Sequence, residues 1–180
     1  MTKQPYRVAI IVLALLGIAF MGYLSYLHYA PEKQAFCDLG EELSCSVVNK
    51  SRYAKVAGIP FSVSGVLYFI GVLYLALAKY NDKSLKLILF SAVAFLGPSL
   101  YLTAVELFIL ESLCIFCEGT KVLMIALAGI AWKELGTEKF PLKNIMGALV
   151  VAVLLAGIIF LIHSSAGPGD KYDEFAQCLT

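Results

Sequence analysis

Five stretches of the chain carry almost no polar positions: residues 8–28, 59–78, 85–110, 113–132 and 142–163. Apolar side chains run through them continuously instead of alternating, so neither a half-buried strand nor a transmembrane barrel fits the pattern. At 1.5 Å of rise per residue, about 20 residues cross a hydrocarbon core of about 30 Å as a helix, and each stretch is that long. No water satisfies peptide groups in that layer, so each segment must be helical. The predicted fold class is an all-α membrane protein with five transmembrane helices.

The polar segments between them set the order of the chain. The first stretch follows Lys3 and Arg7, as the core of a signal peptide does. It runs on through Gly22-Tyr23-Leu24-Ser25-Tyr26-Leu27-His28-Tyr29, past the roughly 7–15 residues of such a core, and reads as a retained span. A polar loop covers residues 29–58. Asn81-Asp82 and Gly136-Thr137 mark turns, and Pro98 after Gly97 is expected to kink the third span. Gly167-Pro168-Gly169-Asp170 breaks the fifth helix. Residues 1–163 therefore read as a membrane domain and residues 164–180 as a tail with the charge of a soluble segment.

Composition agrees. Of 180 residues, 60% are hydrophobic and 15% charged, with a mean hydropathy of +0.82. Soluble domains are nearer half apolar and a quarter charged, so a soluble enzyme and a disordered chain are excluded. A net charge of +1 supplies no field for polyanions, and no nucleic-acid partner is expected. The membrane partner is the lipid bilayer.

Lysine and arginine fix the expected orientation. With a cytoplasmic N-terminus, Lys3, Arg7, Lys79, Lys83, Lys86, Lys133, Lys139 and Lys143 face inward, and Lys33, Lys50, Arg52, Lys55 and Lys171 face outward. The inner loops are short and lysine-rich. This puts the 29–58 loop, the turn Leu110-Glu111-Ser112 and the tail outside, and all five cysteines on or near that oxidising side. His28 and His163 fall at outer span ends and read as interfacial residues. Tyr23, Tyr26, Tyr29 and Tyr101 fit interface anchors or pocket walls.

The cysteines are spaced in two pairs, with Cys178 left over. Cys114-Ile115-Phe116-Cys117 places two sulfurs on one helical face in the first turn of the fourth span. There the helix dipole and free N–H groups favour negative charge on sulfur, while Glu111 and Glu118 oppose it. Cys37 and Cys45 lie in the outer loop, where the chain can move. Their spacing exceeds the two to four residues usual between zinc ligands, so no metal is expected. Two static disulfides remain one reading. A relay is the other: thiol–disulfide exchange passes electrons from sulfur to sulfur through mixed disulfides. Electrons could enter at the loop pair, reach Cys114, then Cys117 one turn deeper, and leave to a lipid-soluble acceptor such as a quinone.

These residues resemble the vitamin K epoxide reductase family, particularly its prokaryotic homologues. The matching elements are Cys37 and Cys45, Ser51 and Arg52 after them, Gly58-Ile59-Pro60-Phe61 with Ser64-Gly65, and the Cys114–Cys117 motif at a helix start. The resemblance implies a four-helix bundle around a quinone with the fifth span added. It implies that Cys117 faces the quinone, that Cys114 exchanges with the loop pair, and that a thioredoxin-like protein, separate or fused after the tail, reduces Cys37 and Cys45. Ser51 matches a family serine near the loop's return to the membrane; a turn cap is its plainer reading. Where members active on vitamin K often carry tyrosine, this chain has Lys121, on the face of Cys114 and Cys117. A lysine inside a span is costly and so a functional candidate. It is expected to donate to a quinone carbonyl or steady the Cys117 thiolate, unless it pairs with Glu118 or Glu106. Lys121, Ser51 and Phe116 are the candidate quinone-binding residues.

The leading expectation is a membrane oxidoreductase that couples disulfide formation in exported proteins to quinone reduction. Reduction of vitamin K or its epoxide is the second reading. A non-catalytic membrane protein with structural disulfides is the third.

Overall fold

In a computed structural model of the chain, residues 3–30, 35–40, 43–56, 58–78, 80–139 and 142–165 are described. Helix α1 (Lys3–Tyr29) leads into a loop that holds the short helix α2 (Cys45–Lys50) and a 3-10 turn at Arg52–Ala54. A small antiparallel hairpin follows. It pairs β1 (Lys55–Val56) with β2 (Ile59–Pro60), Lys55 opposite Pro60. Gly58 turns it at φ 81°, a left-handed conformation that suits glycine. Then come α3 (Phe61–Ala78), α4 (Asp82–Phe108), α5 (Ile115–Lys139) and α6 (Leu142–Ser165). Among the described residues, α1, α3, α4, α5 and α6 are long and apolar enough to cross a membrane. This is the expected all-α membrane fold.

The helices outrun the apolar stretches. Helix α1 starts at Lys3 and not at residue 8, and α5 continues past residue 132. Hydropathy reports where lipid lies, whereas helix ends are set by hydrogen bonds and caps. Gly136, at φ 68°, breaks α5, and its apolar part ends there. Asn81 caps α4 by accepting from the Ser84 N–H at 2.9 Å. Pro98 is buried inside α4.

Helix α1 packs between α3 and α5, α5 between α1 and α4, and α4 between α5 and α6; α3 also touches α4. The ring is thus α1, α3, α4 and α5, with α6 outside it against α4. Glycines permit the close crossings. The fully buried Phe69 ring lies across Gly17, and a Cβ on Gly97 would come within 2.8 Å of the Ala152 Cα.

Polar ties mark the two ends of the bundle. Arg7 donates to the Ala76 and Leu77 carbonyls, each at 2.9 Å, and so caps the C-terminus of α3. Lys83, Lys86 and Lys143 line the gap between α4 and α6. At the opposite end the loop is stitched to the helices. Asn49 donates to the Leu24 carbonyl at 2.6 Å, and His28 Nδ1 donates to the Asn49 carbonyl at 2.8 Å. His163 Nε2 donates to the Lys55 carbonyl at 2.9 Å, and its Nδ1 accepts from the Tyr101 hydroxyl at 3.1 Å.

Candidate active site

The loop between α1 and α3 is closed on itself through one acidic residue and one disulfide. Cys37 and Cys45 are joined, and both are buried. Between them, Asp38 gathers four donors. Its Oδ1 accepts from the Ser44 hydroxyl (2.9 Å) and the Ser46 N–H (3.0 Å), and its Oδ2 from the Ser46 hydroxyl (2.6 Å) and the Ala35 N–H (3.0 Å). Partial burial pushes this carboxyl up. The bonds from Ser46, Ser44 and Ala35 outweigh it and hold the group below its ordinary range. The polar loop read from sequence as mobile is therefore pinned in its described part.

A second fastening joins this loop to the turn after α4. The Ser44 N–H donates to the Leu113 carbonyl at 3.1 Å, beside a parallel bridge between Leu43 and Leu113. Each bonded residue immediately precedes a cysteine, Cys45 on one side and Cys114 on the other. The turn itself is tight. Ile109 and Leu110 both donate to the Val105 carbonyl at 3.0 Å, Ser112 donates to the Glu106 carbonyl at 3.1 Å, and Glu111 takes φ 49°. A non-glycine residue in that left-handed region is strained.

The turn sets the motif at the start of α5. Cys114 lies just before the helix and not within its first turn. Its carbonyl accepts the Glu118 N–H at 3.0 Å, and its Sγ accepts the Cys117 N–H at 3.4 Å. That is the geometry of an N-cap, with sulfur in place of the usual oxygen. Glu106 accepts the Cys114 N–H at 3.1 Å. Both thiols of the motif are free; Cys114 is fully buried and Cys117 half-buried.

A mostly apolar cavity opens beside Cys117. Its walls are Met21 and Leu24 of α1, Val48, Asn49, Ser51, Tyr53 and Ala54 of the loop, Phe61 and Ser62 of α3, and Leu102, Val105, Glu106 and Leu110 of α4 and its turn. Few convergent polar groups in an apolar cleft is the make-up of a small-molecule site.

The structure brings Cys117 and Ser51 to this cavity. The Ser51 hydroxyl also donates to the Val48 carbonyl at 2.8 Å, closing α2, so cap and wall are the same residue. Phe116 and Lys121 are outside the lining. The Phe116 ring joins Phe20 (4.9 Å between centroids), Phe36 (5.3 Å) and Tyr23 (5.4 Å) where α1, α5 and the loop meet. Lys121, only 7% exposed, donates to Thr103 of α4 and pairs with Glu118 one turn back. A charge in an apolar span takes the nearest carboxylate. Cys178 lies outside the described residues. Among the described residues, no group of three or more His, Cys, Asp or Glu could hold a metal ion.

Sequence reasoning missed Ser62, Asn49 and Tyr53, and gave Glu106 only as a partner for Lys121. Glu106 had a usable signal. It is a carboxylate in a predicted span, the kind of position that singled out Lys121.

Residues 8–132, which include both cysteine pairs and the cavity wall, match the vitamin K epoxide reductase family. The chain belongs to the vitamin K epoxide reductase family. It is similar to the vitamin K epoxide reductase complex subunit 1 of Rattus norvegicus, 27% identical over 154 residues, covering 76% of this chain and 94% of the relative. The same protein of Mus musculus is 27% identical over 146 residues, with 72% and 90% covered. Membership makes the chain an oxidoreductase of the membrane, from a family that acts on vitamin K-type quinones.

Proposed function

We propose that this family member oxidises protein dithiols outside the membrane and reduces a bilayer quinone, using Cys37, Cys45, Cys114 and Cys117 as a relay. One observation carries the reading: a loop disulfide is fastened beside a free dithiol, and the deeper thiol, Cys117, stands in the wall of an apolar cavity. In each turnover the Cys114–Cys117 dithiol forms an S–S bond and the quinone becomes quinol. The new disulfide oxidises the loop pair by exchange, and the loop disulfide oxidises a thioredoxin-like partner, separate or fused after the tail. The partner in turn introduces disulfides into exported proteins. Ser51 forms part of the quinone's enclosure. The cysteine end faces the extracytoplasmic side. Arg7, Lys83, Lys86 and Lys143 at the other end support that orientation.

The test is single turnover of purified, reduced protein with a short-chain menaquinone analogue, following quinol. Wild type reduces it. Cys117→Ala fails with every reductant, and Cys37→Ala fails with a protein partner but works with small dithiols that reach Cys114. Quinol formation by Cys117→Ala would refute the relay. The names of the mammalian relatives favour a second reading, reduction of vitamin K epoxide, and the same assay with the epoxide as acceptor separates the two.

A further inference from the structure

The cavity wall carries two buried polar side chains, Ser62 and Glu106, that the relay leaves unused. Ser62 is 5% exposed, lines the cavity and has no hydrogen-bond partner for its hydroxyl. Buried hydroxyls are almost always bonded, and an orphan at a cavity wall marks a place for a ligand atom. Glu106, 2% exposed, lines the same cavity and touches the backbone of the reactive pair through the Cys114 N–H. The rest of the wall is apolar apart from Asn49, Ser51, Tyr53 and Cys117. Asn49 already donates to Leu24, and Ser51 to Val48.

We propose that Ser62 and Glu106 receive one carbonyl oxygen of the quinone, Ser62 as hydrogen-bond donor and Glu106 as the acid that protonates it. This rests on the quinone-reductase reading above. The net step balances within it. Two S–H bonds of Cys114 and Cys117 break and their S–S bond forms. Two electrons pass to the quinone, and two O–H bonds form on it. Protonated Glu106 gives its proton to the bound carbonyl oxygen as the electrons arrive, and one of the two thiol protons restores it. The other thiol proton goes to the second carbonyl oxygen. Glu106 ends as it began. An acid in this position matters because the wall is mostly apolar and supplies few other groups to protonate a developing oxyanion.

The two roles separate by variant. Glu106→Gln keeps an acceptor for the Cys114 N–H but carries no transferable proton. Ser62→Ala removes a hydroxyl that has no partner in the protein, so it leaves folding intact. The assay is single turnover of pre-reduced protein against increasing menadione, read as a limiting rate and a half-saturating concentration. Expected for Glu106→Gln is a limiting rate lower by roughly 10²-fold with half-saturation unchanged, and a larger solvent deuterium isotope effect. Expected for Ser62→Ala is half-saturation raised roughly 3- to 10-fold at an unchanged limiting rate. Cys117→Ala is run beside them. If it reduces menadione, the quinone-reductase reading itself is overturned. If it is inactive while Glu106→Gln keeps the wild-type limiting rate, or Ser62→Ala the wild-type half-saturation, that reading stands and the assignment of Ser62 and Glu106 falls.

Discussion

The Glu106 carboxyl group accepts the backbone N–H of Cys114 at 3.1 Å. It thereby ties the end of α4 to the cap of α5 across the strained turn at Glu111. The tie has a structural consequence separate from any proton transfer. Removing the carboxyl group leaves a fully buried N–H unpaired, which costs about 1–3 kcal/mol. Glu106→Ala is expected to lower the thermal midpoint in detergent, while Glu106→Gln, which still accepts, stays near wild type. Equal midpoints for the two would mean that the bond does not hold the turn.

Asp38 gives the loop a pH dependence of definite sign. Its folded-state carboxyl is held below the ordinary range, so the stability it adds is present above the unfolded value of about 4 and is lost as pH falls through the folded value. Hydrogen exchange at the Ala35 and Ser46 N–H groups, corrected for intrinsic rates, measures this. Protection should stay flat from about pH 8 to 5 and fall below about pH 4. Asp38→Asn should show low protection throughout and no acid step. An acid step of the same size in Asp38→Asn would assign it to another group.

Lys121 is bound to its neighbours, Thr103 and Glu118, and its removal leaves a partly exposed carboxylate without its counter-charge, held only by the Thr103 hydroxyl at 3.2 Å. Lys121→Met is expected to destabilise by about 1–2 kcal/mol, discounted for the exposure of Glu118, with little change in half-saturation by quinone. Adding Glu118→Gln should recover most of the loss, the signature of pairwise coupling. A clear rise in half-saturation at unchanged stability would instead assign Lys121 to the quinone.

How far the sequence reaches differs from residue to residue. The five spans were legible because lipid leaves a backbone one solution and demands apolar length for it. The pairing of Lys121 with Glu118 was legible as well, since residues three apart share a helical face. The place of the α4–α5 turn at Leu110-Glu111-Ser112 was legible too, but its shape was not, because nothing in Glu111 signals a left-handed backbone, and that shape puts Cys114 at the cap and not in the first turn. The pinning of the loop was hidden for another reason. Asp38 meets Ser44 and Ser46 only once the chain has folded back to join Cys37 to Cys45, a local loop closure that leaves no periodic trace. Ser62 looked like any small residue at a span entrance. Its importance comes from what fails to contact it.

The register between loop and turn decides which loop cysteine meets the motif. The Ser44 N–H to Leu113 carbonyl bond brings the backbone just before Cys45 against the backbone just before Cys114, while Cys37 is tied to this pairing through the loop disulfide. Exchange requires a thiolate to reach a disulfide sulfur, so backbone proximity selects the partner. In a Cys37→Ala/Cys117→Ala protein, mild oxidation should join Cys45 to Cys114, seen as one cross-linked peptide under non-reducing mass spectrometry. In a Cys45→Ala/Cys117→Ala protein the equivalent Cys37–Cys114 link should form at least tenfold more slowly, about 1.4 kcal/mol of added barrier. Comparable rates in the two proteins would mean that the loop leaves its fastened position before it exchanges. The Ser44–Leu113 contact would then describe a resting state and not the reactive one.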